Sequence, residues 1–182
     1  MKMDRRNLKE PTRIGLSATQ APIETIANFL GGYEQRKPRP VNIVDIKERK
    51  KLDLEVISPV DNLTEISAEV VRNKMYDKLA ELVKKHRTTL IFTNTRAATE
   101  SVGLELKQRD LERVAAHHGS LSKEIRLEVE QDLKEGKMDA VVTSTSLELG
   151  IDIGFVDLVV QIGSPKSIAK GLQRIGRAGH AI

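Results

Sequence analysis

The apolar positions of this 182-residue chain fall into short β-branched runs, separated by stretches in which they recur every three or four residues. Runs of the first kind predict strands; stretches of the second kind predict helices with one buried face. Near the start, Arg13-Ile14-Gly15-Leu16-Ser17-Ala18-Thr19 reads as a strand ending in two hydroxyls. A helical run through Ile26, Phe29 and Leu30 follows Pro22 and stops at Gly31-Gly32, residues suited to a helix terminus. Residues 41–46 are rich in β-branched side chains and predict a second strand. The charge run Lys47-Glu48-Arg49-Lys50-Lys51 then reads as a solvated linker.

Past the linker the pattern becomes regular. Residues 52–57 predict a strand, and a long helix follows with Val71, Met75, Leu79, Leu82 and Val83 on one face. Residues 88–92 form a buried strand, and a helix then carries Ala98, Val102 and Leu106. After a strand at 114–117, Ser122 can cap a helix in which Ile125, Val129 and Leu133 repeat every four residues until Gly136 ends it. Strands at 140–142 and 157–162 precede a terminal helix after Pro165. Strands alternating with amphipathic helices predict an α/β fold, a parallel sheet covered on both faces.

In such sheets ligands sit at the carboxyl ends of the strands. Four loops occupy that edge here: Thr93 to Arg96, His118 to Ser120, Thr143 to Ser146, and Gly163, Ser164 and Lys166. Each loop alone reads more readily as a capped turn. Together they make a shelf of hydroxyls, backbone N–H groups and helix N-termini, which is how proteins hold phosphates.

The terminal segment Gln173-Arg174-Ile175-Gly176-Arg177-Ala178-Gly179-His180 adds charge. In a helix from 167 to about 178, Ile168, Leu172 and Ile175 form an apolar stripe that can pack, while Gln173, Arg174 and Arg177 point the other way. Two guanidiniums on one face, each a planar fork of donors, suit a polyphosphate. The alternative reading is a solvated surface helix that happens to carry arginines.

Composition narrows the partners. Aromatic residues are 3% of the chain, which argues against rows of stacked bases and leaves backbone contact as the mode for any nucleic acid. A formal net charge of +4 tolerates a polyanion without requiring one. Cysteine is absent, so thiolate metal sites and thiol nucleophiles are excluded, and the 4 histidines lack metal-ligand spacing. No apolar run is long enough for a membrane span and no secretory signal opens the chain, so the expected location is cytoplasmic.

Five segments, in order and spacing, resemble superfamily 2 helicases, and most nearly the large helicase-related (Lhr) group, over almost the whole chain. They are Ser17-Ala18-Thr19, Leu90-Ile91-Phe92-Thr93-Asn94-Thr95-Arg96, His117-His118-Gly119-Ser120-Leu121-Ser122, Thr145-Ser146-Leu147-Glu148-Leu149-Gly150-Ile151-Asp152-Ile153-Gly154, and the closing octapeptide. The resemblance implies two RecA-like lobes, with ATP and Mg2+ in the cleft between them and a DNA or RNA strand across both. It makes residues 1–47 the end of the first lobe, 48–51 the linker and 52–182 the second lobe. Ser17 and Thr19 become the link between ATP state and strand contact. Asn94, Thr95, Arg96, Gly119, Ser144 and Thr145 face the sugar-phosphate backbone. Gly150 and Asp152 approach the nucleotide, Asp152 at the ribose, with Gln173, Arg174 and Arg177 at the phosphates and Arg177 as arginine finger. Many relatives carry arginine where this chain has His180, a side chain mostly neutral at pH 7 with an ordinary pKa of about 6.5. His180 is therefore placed beside the nucleotide without an assigned catalytic role. Ser144 replaces the usual threonine and keeps the hydroxyl.

Two motifs that such an enzyme requires do not occur. Gly136-Lys137 is followed by Met138 and has no glycine five residues before it, so there is no G-x-x-x-x-G-K-[ST]. No Asp-Glu dipeptide occurs, so there is no box to hold Mg2+. The expectation is a fragment, with Mg2+ held by the missing first lobe and no ATPase activity of its own. A non-enzymatic nucleic-acid-binding or regulatory module derived from such a lobe is the alternative, and a doubly wound protein binding another phosphorylated ligand is a more distant one.

Overall fold

The computed structural model describes residues 11–17, 21–45, 53–148 and 152–179. The chain divides into two compact units, residues 1–52 and 53–182. In the first, α1 (Ile23–Gly31) is followed by a small hairpin of β1 (Tyr33–Glu34) and β2 (Lys37–Pro38). The helix ends as expected, with Gly32 at φ 68°. Arg13 donates from Nη1 to the carbonyl of Gly31 (2.7 Å) and so satisfies part of the helix C-terminus. The hairpin is not signalled in the sequence. Its tight turn places Gln35 and Arg36 at positive φ, 49° and 64°, where Asn-Gly would have announced it.

Residues 11–17 and 41–45 belong to no ladder, nor do residues 53–58 at the start of the second unit. The three strands expected there are absent from the described residues. Strand preference is mainly a fit to a pleated, half-buried surface, and these segments have no such surface: Leu16, Val44 and Val56 are all more than four-fifths exposed.

The second unit is an α/β layer structure. Its elements are α2 (Ala68–Lys85), β3 (Thr89–Phe92), α3 (Arg96–Lys107), β4 (Val114–His117), α4 (Lys123–Lys134), β5 (Ala140–Thr143), β6 (Leu158–Gln161) and α5 (Ile168–Ile175). Four parallel strands lie in the order β4-β5-β3-β6. Alternation along β3 sends Ile91 to one face, among Leu79, Val83, Val102 and Leu106 of α2 and α3. Leu90 and Phe92 go to the other, among Val129 and Leu133 of α4 with Leu147, Ile153 and Val156 of the β5–β6 connection. The cap expected at Ser122 forms, and Ser67, Thr95 and Ser167 do the same for α2, α3 and α5: each accepts a backbone N–H three residues on. Ile125, expected in the packed stripe of α4, is 46% exposed.

The β5–β6 connection crosses the sheet, and its described residues, 144–148 and 152–157, hold no helix. It leaves the carboxyl edge at Ser144 and reaches the amino edge at Asp157, whose carboxylate accepts the N–H groups of Arg87 (2.9 Å) and Thr88 (2.8 Å) just before β3. At Gly154, φ is +74° and a Cβ would stand 2.8 Å from the Lys134 carbonyl oxygen, so the connection lies directly on α4. Gly154→Ala is expected to cost about 1–2 kcal/mol for the left-handed backbone and more for the collision. Gly163, with φ +73° but only Asn94 Nδ2 at 3.5 Å from its Cβ position, should tolerate alanine better. Denaturant unfolding of the two variants checks this; equal losses would remove the collision from the account.

Candidate nucleotide and nucleic-acid surfaces

The strand order brings the loops after β4, β5, β3 and β6 side by side along the carboxyl edge. There Asn94 Nδ2 donates to the Ser164 carbonyl (2.9 Å), joining the loops after β3 and β6. Thr95 Oγ1 is engaged as the α3 cap, accepting from Ala98 N–H at 3.1 Å. Arg96, Gly119 and Thr145 are exposed, and Gly119 has open space where a Cβ would stand. Ser144 is buried to 8% exposure. The structure therefore collects Asn94, Thr95, Arg96, Gly119, Ser144 and Thr145 on one edge. Ser17, in the first unit, is exposed; Thr19, Gly150 and His180 lie outside the described residues.

Below this edge, on the α4 side of the sheet, sit Asp152 and the end of α5. Gly179 N–H bonds the carbonyl of Val156 (2.7 Å), and Val156 and Ile153 share the core that contains Val129 and Leu133. Asp152 is exposed and accepts from Lys134 Nζ at 2.5 Å. That ammonium, with the Gly154 N–H, holds the carboxyl below the usual carboxylate range.

Helix α5 is turned opposite to expectation. Ile168 and Leu172, expected to pack, are 83% and 44% exposed, whereas Arg174 is only 3% exposed. Arg174 points into the protein, where Nε donates to Glu148 Oε1 (2.8 Å), Nη1 to Gln161 Oε1 (2.5 Å) and Nη2 to the Ser144 carbonyl (3.1 Å). Nη2 also bonds the Glu148 carboxylate, and the guanidinium lies 5.0 Å from the centre of the Phe92 ring. Arg174, expected at a phosphate, donates in this structure to Glu148, Gln161 and the Ser144 carbonyl, and the charge it buries is matched by a buried carboxylate. Arg177 is half-buried and rests on the backbone of the same residue, donating from Nη2 (3.0 Å) and Nε (3.3 Å) to the Glu148 carbonyl. Gln173 is also half-buried.

Sequence reasoning passed over Glu148. A carboxylate between Leu147 and Leu149 in an apolar connection was the available signal, since it requires a partner once buried. A second polar cluster went unassigned as well. His117, 1% exposed, lies 2.7 Å from Ser146 Oγ through Nδ1 and 3.0 Å from Glu130 Oε1 through Nε2. An ionised carboxylate only accepts, so Nε2–H donates to Glu130 and Nδ1 accepts from Ser146. Among the described residues no group of three or more potential ligands could hold a metal ion, and no helix is long and apolar enough to cross a membrane. A depression of about 300 Å3 between residues 57–59 and α2 carries none of the candidate residues.

Burial pushes the His117 imidazole below its ordinary range, opposed by the hydrogen bond and charge of Glu130 and aided by Arg126 and His118. The unfolded chain thus takes up a proton, near an ordinary pH of about 6.5, that the folded chain refuses. Stability from this ring is intact above that pH and declines as the pH falls toward the depressed folded value. Melting temperature is expected to drop between about pH 7.5 and about pH 5.5, and His117→Gln should flatten the drop; an unchanged slope would contradict the assignment.

Comparison with known proteins gives a consistent picture. Residues 73–181 match the family described as the helicase conserved C-terminal domain. The chain is 54% identical over 176 residues to the ATP-dependent helicase Lhr-Core of Methanothermobacter thermautotrophicus, covering 94% of this chain and 20% of that protein. It superposes with a TM-score of 0.83, at 42% identity, on the helicase Lhr of Mycobacterium smegmatis bound to ssDNA and AMP-PNP, over 91% of this chain and 22% of that one. Dbp5 of S. cerevisiae bound to RNA and ADP BeF3 superposes at 0.53 with 30% identity, over 58% of this chain and 29% of that one. The chain spans about a fifth of the length of the Lhr relatives it matches.

Proposed function

Because the chain belongs to the helicase conserved C-terminal domain family, as a superfamily 2 lobe of Lhr type, we propose that it supplies half of an ATP cleft and half of a strand track to a cytoplasmic DNA helicase. On this reading residues 52–182 are the second RecA-like lobe, 48–51 the linker and 1–47 the end of the first lobe, where Ser17 and Thr19 link ATP state to strand contact. The observation that carries the proposal is the opposite treatment of two arginines three residues apart. Arg174 is built into the core, whereas Arg177 is half-buried and donates to the Glu148 carbonyl.

The residues present fit one side of a nucleotide. Arg177 can exchange the Glu148 carbonyl for phosphate oxygens, and its fixed charge then opposes the negative charge that develops in phosphoryl transfer. Such a contact is worth about 10³ to 10⁵ in rate in well-studied systems. Asp152, kept ionised by Lys134, can accept from ribose hydroxyls on the same face of the sheet, with Gly150, Gln173 and His180 nearby in sequence. Mg2+ neutralises phosphate charge when bound; the described residues of this chain form no cluster for it, and the reading assigns it to a first lobe.

Along the carboxyl edge, Asn94, Thr95, Arg96, Gly119, Ser144 and Thr145 would contact a sugar-phosphate backbone through hydroxyls, amides and one guanidinium. Contacts of that kind position a strand without reading its sequence. DNA is favoured over RNA because the likeness to the ssDNA-bound Lhr structure is much greater than that to the RNA-bound Dbp5.

The isolated chain is expected to show no ATP turnover with or without nucleic acid; strand-stimulated turnover that survives Arg177→Ala would overturn the proposal. In a two-lobe protein containing this chain, Arg177→Ala should lower turnover by about 10³-fold or more while strand affinity is spared. Parallel loss of both, measured by steady-state kinetics and strand titration, would move Arg177 to the strand track.

A further inference from the structure

We propose that Glu148 is a positioning residue that sets the place of Arg177 and ties it to the strand-facing loop. The inference rests on the reading of Arg177 given above and adds a residue to it. Glu148 acts through two different groups. Its carboxylate holds Arg174 Nε at 2.8 Å, which fixes the rotation of α5; its carbonyl receives Arg177 Nη2 at 3.0 Å, which fixes the arginine one turn further on. Both contacts come from one residue, so movement of its backbone moves both.

The same residue closes a short circuit to the carboxyl edge. Glu148 N–H bonds the Thr145 carbonyl (3.2 Å), and the guanidinium held by its carboxylate also grips the Ser144 carbonyl (3.1 Å). Ser144 and Thr145 are the residues placed against the strand. Any shift of that loop on strand contact is therefore passed through the buried Glu148 and Arg174 to the seat of Arg177. The loop is anchored on its other side by Ser146 Oγ, which lies 2.7 Å from His117 Nδ1. A dense interior transmits such a displacement rather than absorbing it.

Removing one charge would leave its partner buried and unpaired, whereas replacing both by apolar side chains of similar volume is commonly tolerated. The test therefore uses the paired change Glu148→Met with Arg174→Met in the two-lobe protein, with cooperative melting and strand binding as checks on folding. Expected is a fall in strand-stimulated kcat of about 10²-fold, the scale of loss for a catalytic group displaced by about 1 Å, with KM for ATP little changed. Adding Arg177→Ala to the paired variant should then cost far less than it does in the unaltered protein. If Arg177→Ala costs the same factor in both backgrounds, Glu148 does not position it and the inference falls. If Arg177→Ala costs nothing in the unaltered protein, the reading of Arg177 itself falls. Should the paired variant fail to melt cooperatively, the same comparison is made with Glu148→Gln, which keeps the carbonyl and an acceptor oxygen, and the same two outcomes decide.

Discussion

A guanidinium cannot shed its proton, so a protein that buries one must bury something to answer it. In this chain the answer is the pairing of Arg174 with Glu148, backed by Gln161, the Ser144 carbonyl and the face of Phe92. Two ions taken out of water cost several kcal/mol each before their attraction is counted, so the pair is weak evidence of stability. Its consequence is geometric. With Arg174 inward, helix α5 can adopt one rotation, and in that rotation Arg177 emerges beside the Glu148 carbonyl while Ile168 and Leu172 face outward.

The sheet separates two surfaces that the sequence presents as one series of motifs. Loops at the carboxyl ends of β3, β4, β5 and β6 make an edge of small and polar groups. Asp152 and Arg177 lie instead on the α4 side, along the connection from β5 to β6 and beyond the end of α5. That connection starts among the carboxyl-edge loops and ends at the amino edge, held by Asp157.

Much of the second unit was legible because its code is local. Periodicity placed the packed faces of α2 and α3, Ser122 marked the start of α4, and Gly136, at φ +70°, ended the α4 region. What failed was what depends on neighbours. Residues 11–17, 41–45 and 53–58 have strand-like composition and no ladder, because composition reports fitness for a sheet and not the presence of one. The rotation of α5 failed for a related reason. Hydrophobic patterning put Ile168 and Leu172 inside, but a single buried ion pair 26 residues apart in sequence outweighed it, and no window along the chain contains both partners. The carboxyl-edge residues were found by topology and resemblance together; Glu148 needed the structure.

The central claim is that one arginine of the closing motif is structural and the other faces the nucleotide. A structure of a two-lobe protein containing this chain, with a non-hydrolysable ATP analogue bound, tests it most directly. The account predicts Arg177 at hydrogen-bond distance from a phosphate oxygen while Arg174 still rests on Glu148. An Arg174 swung out onto the phosphates, with Glu148 left facing solvent or another partner, would contradict it.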